Sequence, residues 1–162
     1  MVGRYPDYAA LEISVIKLTV RTEVDVPAPI AYAYVADSSN NKVWQSGIQS
    51  TEWTSPPPIV VGSTYDQRLD FKNTVTGYEI TAIEPGHSIT TESRDGATFP
   101  TTVTRTVVPL SESRCRITVD LIGYPRGIRR LVKPLVVKVV RDSIEADYRR
   151  LKRHLEAGTE DG

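Results

Sequence analysis

Strict alternation marks one long run near the start of the chain. Between residues 13 and 26, Ile16, Leu18, Val20, Val24 and Val26 share one parity, with Thr22 among them. Lys17, Arg21, Glu23 and Asp25 share the other. A period of two with one apolar and one charged side predicts a long strand with one wet face. Pro27 and Pro29 end it, and 29–36 reads as a short helix with Pro near its first turn, where a missing N–H does no harm. The run Asp37-Ser38-Ser39-Asn40-Asn41 breaks that helix, and a second helical turn carries Trp44. Strands are then expected at 48–54, 63–71, 76–84, 88–93, 99–110 and 114–124. The breakers between them are Pro56-Pro57-Pro58, Asn73, Pro85-Gly86, Asp95-Gly96 and Ser111-Glu112-Ser113. Turns this short join antiparallel neighbours.

After Gly123 and Gly127 the period changes from two to 3.6. Leu131, Leu135, Val136, Val139, Val140, Ile144, Tyr148, Leu151 and Leu155 recur at spacings of three and four. They predict one amphipathic helix of about seven or eight turns. Arg149, Arg150, Lys152 and Arg153 enrich its last turns, where cations suit the helix dipole, and Gly158 is a plausible stop. Pro134 fits only in the first turn or at a kink. The fold class is therefore α+β: a seven-stranded antiparallel sheet curved around a long C-terminal helix, with two short helices after the first strand. Only that helix is long enough to cover the apolar face. A space left between sheet and helix is a natural small-molecule site. A single domain spans 13–158, with 1–12 and 159–162 expected as flexible ends.

Alternation also sorts the sheet into two faces. Tyr65, Gln67, Leu69 and Phe71 face inward from the third strand, and Tyr78, Ile80 and Ala82 from the fourth. Ile89, Thr91 and Ser93 follow on the fifth, Val103, Arg105 and Val107 on the sixth, and Cys115, Ile117, Val119 and Leu121 on the seventh. Arg105 is the anomaly, set in the run "TTVTRTVV" at 101–108. A buried arginine costs several kcal/mol unless something satisfies it. Two readings stand. Arg105 anchors a ligand carboxylate or enolate that Tyr78 and Gln67 orient. Alternatively, its long stem reaches the cavity mouth and pairs with Glu92 or Glu52. The expected cavity wall is Arg105, Tyr78, Gln67, Tyr65, Leu69, Phe71, Ile80, Val103, Val107, Ile117 and Val119 from the sheet, with Leu135 and Val139 from the helix.

Charge and composition narrow the partners. Lys and Arg number 20 and so do Asp and Glu, a zero balance with no long-range pull on nucleic acid or an anionic surface. One cysteine, Cys115, excludes an internal disulfide, and two distant histidines, His87 and His154, give no zinc spacing. No metal or cofactor is expected. No stretch approaches the ~18 apolar residues of a membrane span, and the N-terminus does not read as a secretory signal. A cytoplasmic protein, monomeric or a homodimer, is the expectation. His87 is read as a solvated turn residue, His154 as surface, and Trp44 as core. Asp66 and Asp70 are read as cross-strand charge partners, and the basic stripe of 141–153 as a solvated face with i,i+4 pairing. The Pro56-Pro57-Pro58 loop either flanks the cavity mouth or stiffens a connection.

Three segments resemble the SRPBCC superfamily, also called START-like or Bet v 1-like. They are "TEVDVPAPIAYAYVADSSNNKVWQ" at 22–45, "TGYEITAIEPGHSITTES" at 76–93 and "GIRRLVKPLVVKVVRDSIEADYRRLKRHLEAG" at 127–158. Within that superfamily the chain is most similar to the polyketide cyclase/dehydrase and lipid-transport group. The resemblance implies the helix-grip fold. It also implies binding of a hydrophobic small molecule such as a lipid, polyketide or isoprenoid, with a polyketide cyclase or dehydratase as the alternative. It assigns no catalytic residue. The inward faces supply no His, Asp or Glu to act as a base, which leaves the question of an enzyme open.

Overall fold

The computed structural model describes residues 15–126 and 133–160. The expectations for 1–12, Gly127 and Leu131 lie outside the described residues. Strand β1 (Ile16–Val24) leads into helix α1 (Ala28–Ala36), a 3-10 turn (Ser38–Asn40) and the single-turn helix α2 (Asn41–Trp44). Strands β2 (Ile48–Trp53), β3 (Thr64–Leu69), β4 (Val75–Glu84), β5 (Ser88–Ser93), β6 (Thr101–Pro109) and β7 (Cys115–Gly123) follow. Helix α3 (Lys133–Glu160) closes the chain. All seven strands form one antiparallel sheet in the order β1-β7-β6-β5-β4-β3-β2, so every strand pairs with a chain neighbour except where β1 returns to β7. Among the described residues no helix is long and apolar enough to cross a membrane.

The local chemistry follows the expected signals at most boundaries. Pro29 occupies the first turn of α1. Asp37 caps the 3-10 turn by accepting from the Ser39 N–H at 3.0 Å and the Ser39 hydroxyl at 2.6 Å. Pro134 lies in the first turn of α3, where it breaks no helical hydrogen bond. Gly158 does not stop that helix, which runs on to Glu160.

Packing divides into two clusters. The larger one joins Val20, Val24 and Val26 to Ala31 and Val35 of α1, Trp44 of α2, Val107 of β6, Ile117 and Val119 of β7, and Tyr148, Leu151 and Leu155 of α3. Cys115 is buried within it. The smaller cluster is Tyr65, Ile80 and Ile89, with Trp53, Tyr78 and Ile83 against it. The outer face is mostly polar: Thr19 bonds Asp120, Thr90 bonds Thr104, and Glu23 pairs with Arg114 and Arg116.

Alternation fails at one point on β4. The ladder to β5 runs Ile80↔Thr91, then Ala82↔Thr90 and Ile83↔Ile89, so Thr81 is an extra residue on one strand. The bulge inverts the facing of everything after it. Ala82, expected inside, is exposed, and Ile83 joins the small cluster in its place. The charge pairing expected of Asp66 and Asp70 is also absent among the described residues. Register sets Asp66 opposite Glu52 and Gly77, neither of them a cation. On α3 the expected pairing holds, in Lys138–Asp142, Glu145–Arg149 and Lys152–Glu156.

Candidate functional site

The open side of the sheet and the first turns of α3 line a cavity of about 500 Å³ that opens to the surface. Its sheet wall is Leu69 of β3, Thr76 and Tyr78 of β4 and Thr101 of β6. Phe71 and Thr74 come from the β3–β4 turn, and Thr98 and Phe99 from the approach to β6. The helix wall is Leu135, Val136, Val139 and Val140, two successive i,i+1 pairs four residues apart. The surface is mostly aliphatic and aromatic, with hydroxyls set into it. That composition and volume match small-molecule sites in general.

Two local devices shape the rim. Lys72 and Asn73 take left-handed backbone angles, φ 52° and 51°, and turn the chain so that β3 ends at Leu69. Phe71, expected on the strand, therefore sits in a 3-10 turn and is 60% exposed at the mouth. At the other side, a Cβ on Gly123 would stand 2.9 Å from two atoms of the Phe99 ring. Only glycine lets that ring lie against the β7 backbone and form the wall. Leu135 and Val139 belong to the apolar stripe of α3, yet they are 63% and 59% exposed because their half of the helix overhangs the cavity.

Of the side chains expected at the wall, Leu69, Phe71, Tyr78, Leu135 and Val139 do line this cavity. Val107, Ile117 and Val119 are instead packed into the larger core, with Val103 against it. Tyr65 and Ile80 are in the smaller core, where the Tyr65 ring stacks on Tyr78 at 5.2 Å. Gln67 is buried two residues along β3 from Tyr65, on the same face. Thr74, Thr76, Thr98, Phe99, Thr101, Val136 and Val140 are the wall residues that sequence reasoning did not name. Thr101 and Phe99 share the parity of Val103 and Arg105, and Thr76 that of Tyr78, so alternation carried a signal for these three.

Arg105 is buried, 6% exposed, and is not part of the cavity wall, although its charge acts on the wall residue Tyr78. Its Nε donates to the Tyr148 hydroxyl at 3.3 Å, and its guanidinium carbon lies 5.5 Å from the centre of the Trp44 ring. The ion pair with Glu92 or Glu52 does not form. Both glutamates are exposed, and Glu92 accepts from Thr81 on the outer face. Among the described residues no carboxylate pairs with Arg105. Burial pushes the Tyr78 phenol up to about 12, opposed by the Thr101 hydrogen bond and by the charge of Arg105. Burial raises Tyr148 too, again against the pull of Arg105. Both phenols therefore stay protonated donors at neutral pH.

The remaining candidates lie elsewhere. His87 is in the β4–β5 turn, 4.0 Å from Glu84, and His154 is exposed beside the Tyr34 ring. Trp44 is 1% exposed and edge-on to Tyr148. Pro56 and Pro57 flank a separate pocket of about 240 Å³ with Trp53 and Asp37, not the mouth of the main cavity. Burial there works against the charge of Asp37, but bonds from Ser39 and from Trp53 Nε1 outweigh it and hold the carboxyl below its usual range. Among the described residues no group of His, Cys, Asp or Glu could hold a metal ion.

The profile of a family described as "Polyketide cyclase / dehydrase and lipid transport" matches residues 15–156. Among solved structures, a START superfamily protein from Mycobacterium smegmatis is similar at TM-score 0.68 and 18% identity, covering 87% of this chain and 97% of that one. TTHA0849 from Thermus thermophilus gives TM-score 0.72 at 15% identity, over 88% and 99%. The di-domain ARO/CYC StfQ from the steffimycin biosynthetic pathway gives 0.74 at 11% identity, covering 94% of this chain and 54% of that protein. At these identities the likeness carries the fold. No curated protein matches significantly.

Proposed function

Because this chain belongs to the polyketide cyclase/dehydrase and lipid transport family, we propose that it binds one hydrophobic small molecule in the cavity between sheet and α3. The observation that carries this reading is the apolar, surface-connected space of about 500 Å³ between sheet and helix. Transfer of apolar ligand surface from water drives binding. Arg105 is buried without a carboxylate among the described residues, and its charge acts on the wall residue Tyr78. A carboxylate or enolate on the ligand supplies the missing charge, and the protonated Tyr78 and Tyr148 hydroxyls and the Gln67 amide orient it.

A cyclase or dehydratase would also need a base beside an acidic C–H. The described wall offers hydroxyl donors and apolar surface but no carboxylate or imidazole, which favours binding as the primary role. The chain is expected to act in the cytoplasm, without nucleic acid.

Native mass spectrometry of the protein purified from its own host tests the reading. The expected result is an adduct of a hydrophobic acid, lost on Arg105→Met. An Arg105→Met variant that keeps the same adduct at unchanged occupancy overturns the anchor. A protein that carries no adduct and binds no hydrophobic acid in vitro overturns the cavity reading.

A further inference from the structure

The concave face holds more hydrogen-bonding capacity than the protein itself uses. Thr51, Gln67 and Thr76 stand side by side across β2, β3 and β4, in direct register. All three are buried, at 8%, 5% and 8% exposure. The Thr51 hydroxyl has no hydrogen-bond partner among the described residues. The 3-10 turn and α2 pack against the same strand β2 and bring Ser38 and Asn41, each 1% exposed. The Ser38 hydroxyl, both amide atoms of Asn41 and Trp44 Nε1 are likewise unpartnered among the described residues. Native interiors hold few buried polar groups in that condition, because an unmade hydrogen bond there is costly. Here they cluster on adjacent elements, and the row ends at Thr76, a wall residue of the cavity.

We propose that this row is a neutral hydrogen-bonding subsite, branching from the cavity at Thr76, that reads a hydroxyl or carbonyl oxygen on the ligand. It rests on the binding reading above and narrows it. The ligand carries a neutral oxygen function on its apolar body, apart from the acidic group that Arg105 takes. Hydroxyls and carboxamides have no net charge and therefore do not select an ion. Asn41 and Gln67 each present a donor and an acceptor, so either a hydroxyl or a carbonyl satisfies them. A plain acyl chain leaves these groups unpaired and is rejected on that ground.

The test uses a matched pair of rigid probes, 2-naphthoic acid and 6-hydroxy-2-naphthoic acid, titrated into the intact protein by fluorescence. The hydroxy acid is expected to bind roughly tenfold more tightly or better. Thr51→Val, a change of one hydroxyl for one methyl, is expected to bring the ratio near one without weakening 2-naphthoic acid; Gln67→Leu, which also removes an amide that orients the acid, is a second variant read on the ratio alone. Equal affinity of the two acids for the unmodified protein overturns the subsite. So does a preference that survives in both variants, which means that ordered water alone fills the row. Failure of both acids to bind overturns the cavity reading itself, a result distinct from loss of the preference.

Discussion

The two halves of α3 carry the same kind of apolar stripe and meet opposite fates. In the C-terminal half, Tyr148, Leu151 and Leu155 are 3%, 0% and 6% exposed against β1, β7 and α2. In the N-terminal half, Leu135 and Val139 are more than half exposed over the cavity. The helix is one continuous element, so its own propensity does not account for the difference. What differs is the sheet beneath. On the β1–β7–β6 side, α1 and Trp44 fill the space between the layers. Beneath Leu135 and Val139, beside Leu69, Thr76 and Tyr78, that space is the cavity. One half therefore contributes stability, and the other offers apolar surface to a ligand.

Cutting the stripe in each half should expose this contrast most visibly. Leu151→Ala removes a fully buried side chain from the core and should cost about 3 kcal/mol in urea unfolding. Leu135→Ala should cost less than about 0.5 kcal/mol, yet weaken 2-naphthoic acid several-fold. Equal destabilisation by the two changes would mean that the cavity end is as closely packed as the core, and the contrast would fail.

A second test compares neighbours across the β4 bulge. Ile83→Lys places a charge against Tyr65, Ile80 and Ile89 and should cost about 2 kcal/mol. Ala82→Lys faces solvent and should change stability by less than about 0.5 kcal/mol. A reversed order, measured by the same unfolding curves, would restore simple alternation along β4.

That bulge marks the limit of what the pattern could tell. Seven strands and three helical segments were legible because alternation and breakers are local properties. The facing of Tyr65, Gln67, Ile89, Arg105 and Val107 was legible because one parity holds along an unbroken strand. Thr81 carries no mark of being an extra residue, so Ala82 was misplaced. The cavity wall was harder still. Periodicity says which face of a strand or helix is apolar, but not whether another layer fills the space opposite. Val107, Ile117 and Val119 therefore looked like cavity wall and are core. The unpartnered Ser38, Asn41 and Thr51 are ordinary polar residues in sequence, and only packing buries them.

Arg105 separates stability from binding in a single residue. Arg105→Met removes a buried cation that has no carboxylate among the described residues, at the loss of one hydrogen bond to Tyr148 and the contact with Trp44. Replacing such a charge with an apolar side chain of similar length should leave stability unchanged or raise it by about 1 kcal/mol. Affinity for 2-naphthoic acid should fall in the same variant. A variant that is strongly destabilised would show that the Tyr148 and Trp44 contacts suffice to hold the arginine, and the argument for a ligand anion would lose its main support.

The finest contrast is visible only in alkali. The Tyr78 phenol titrates at about 12 in the folded protein, because burial disfavours its anion more than Arg105 and Thr101 favour it. Unfolded, it titrates near ~10. Below about pH 10 both states hold the proton and the difference has no effect. Between about pH 10 and 12 the unfolded state releases the proton first, so the contribution of Tyr78 to stability is lost as pH rises through that window. Tyr78→Phe removes the group that titrates. Its stability relative to the unmodified protein should therefore improve steadily from about pH 10 upward, in urea unfolding curves taken at each pH. Tyrosinate absorbance in the near ultraviolet should lose a step near pH 12 in the same variant. A relative stability that stays flat with pH would mean that Tyr78 is open to solvent, and the inner end of the cavity would then be wet rather than apolar.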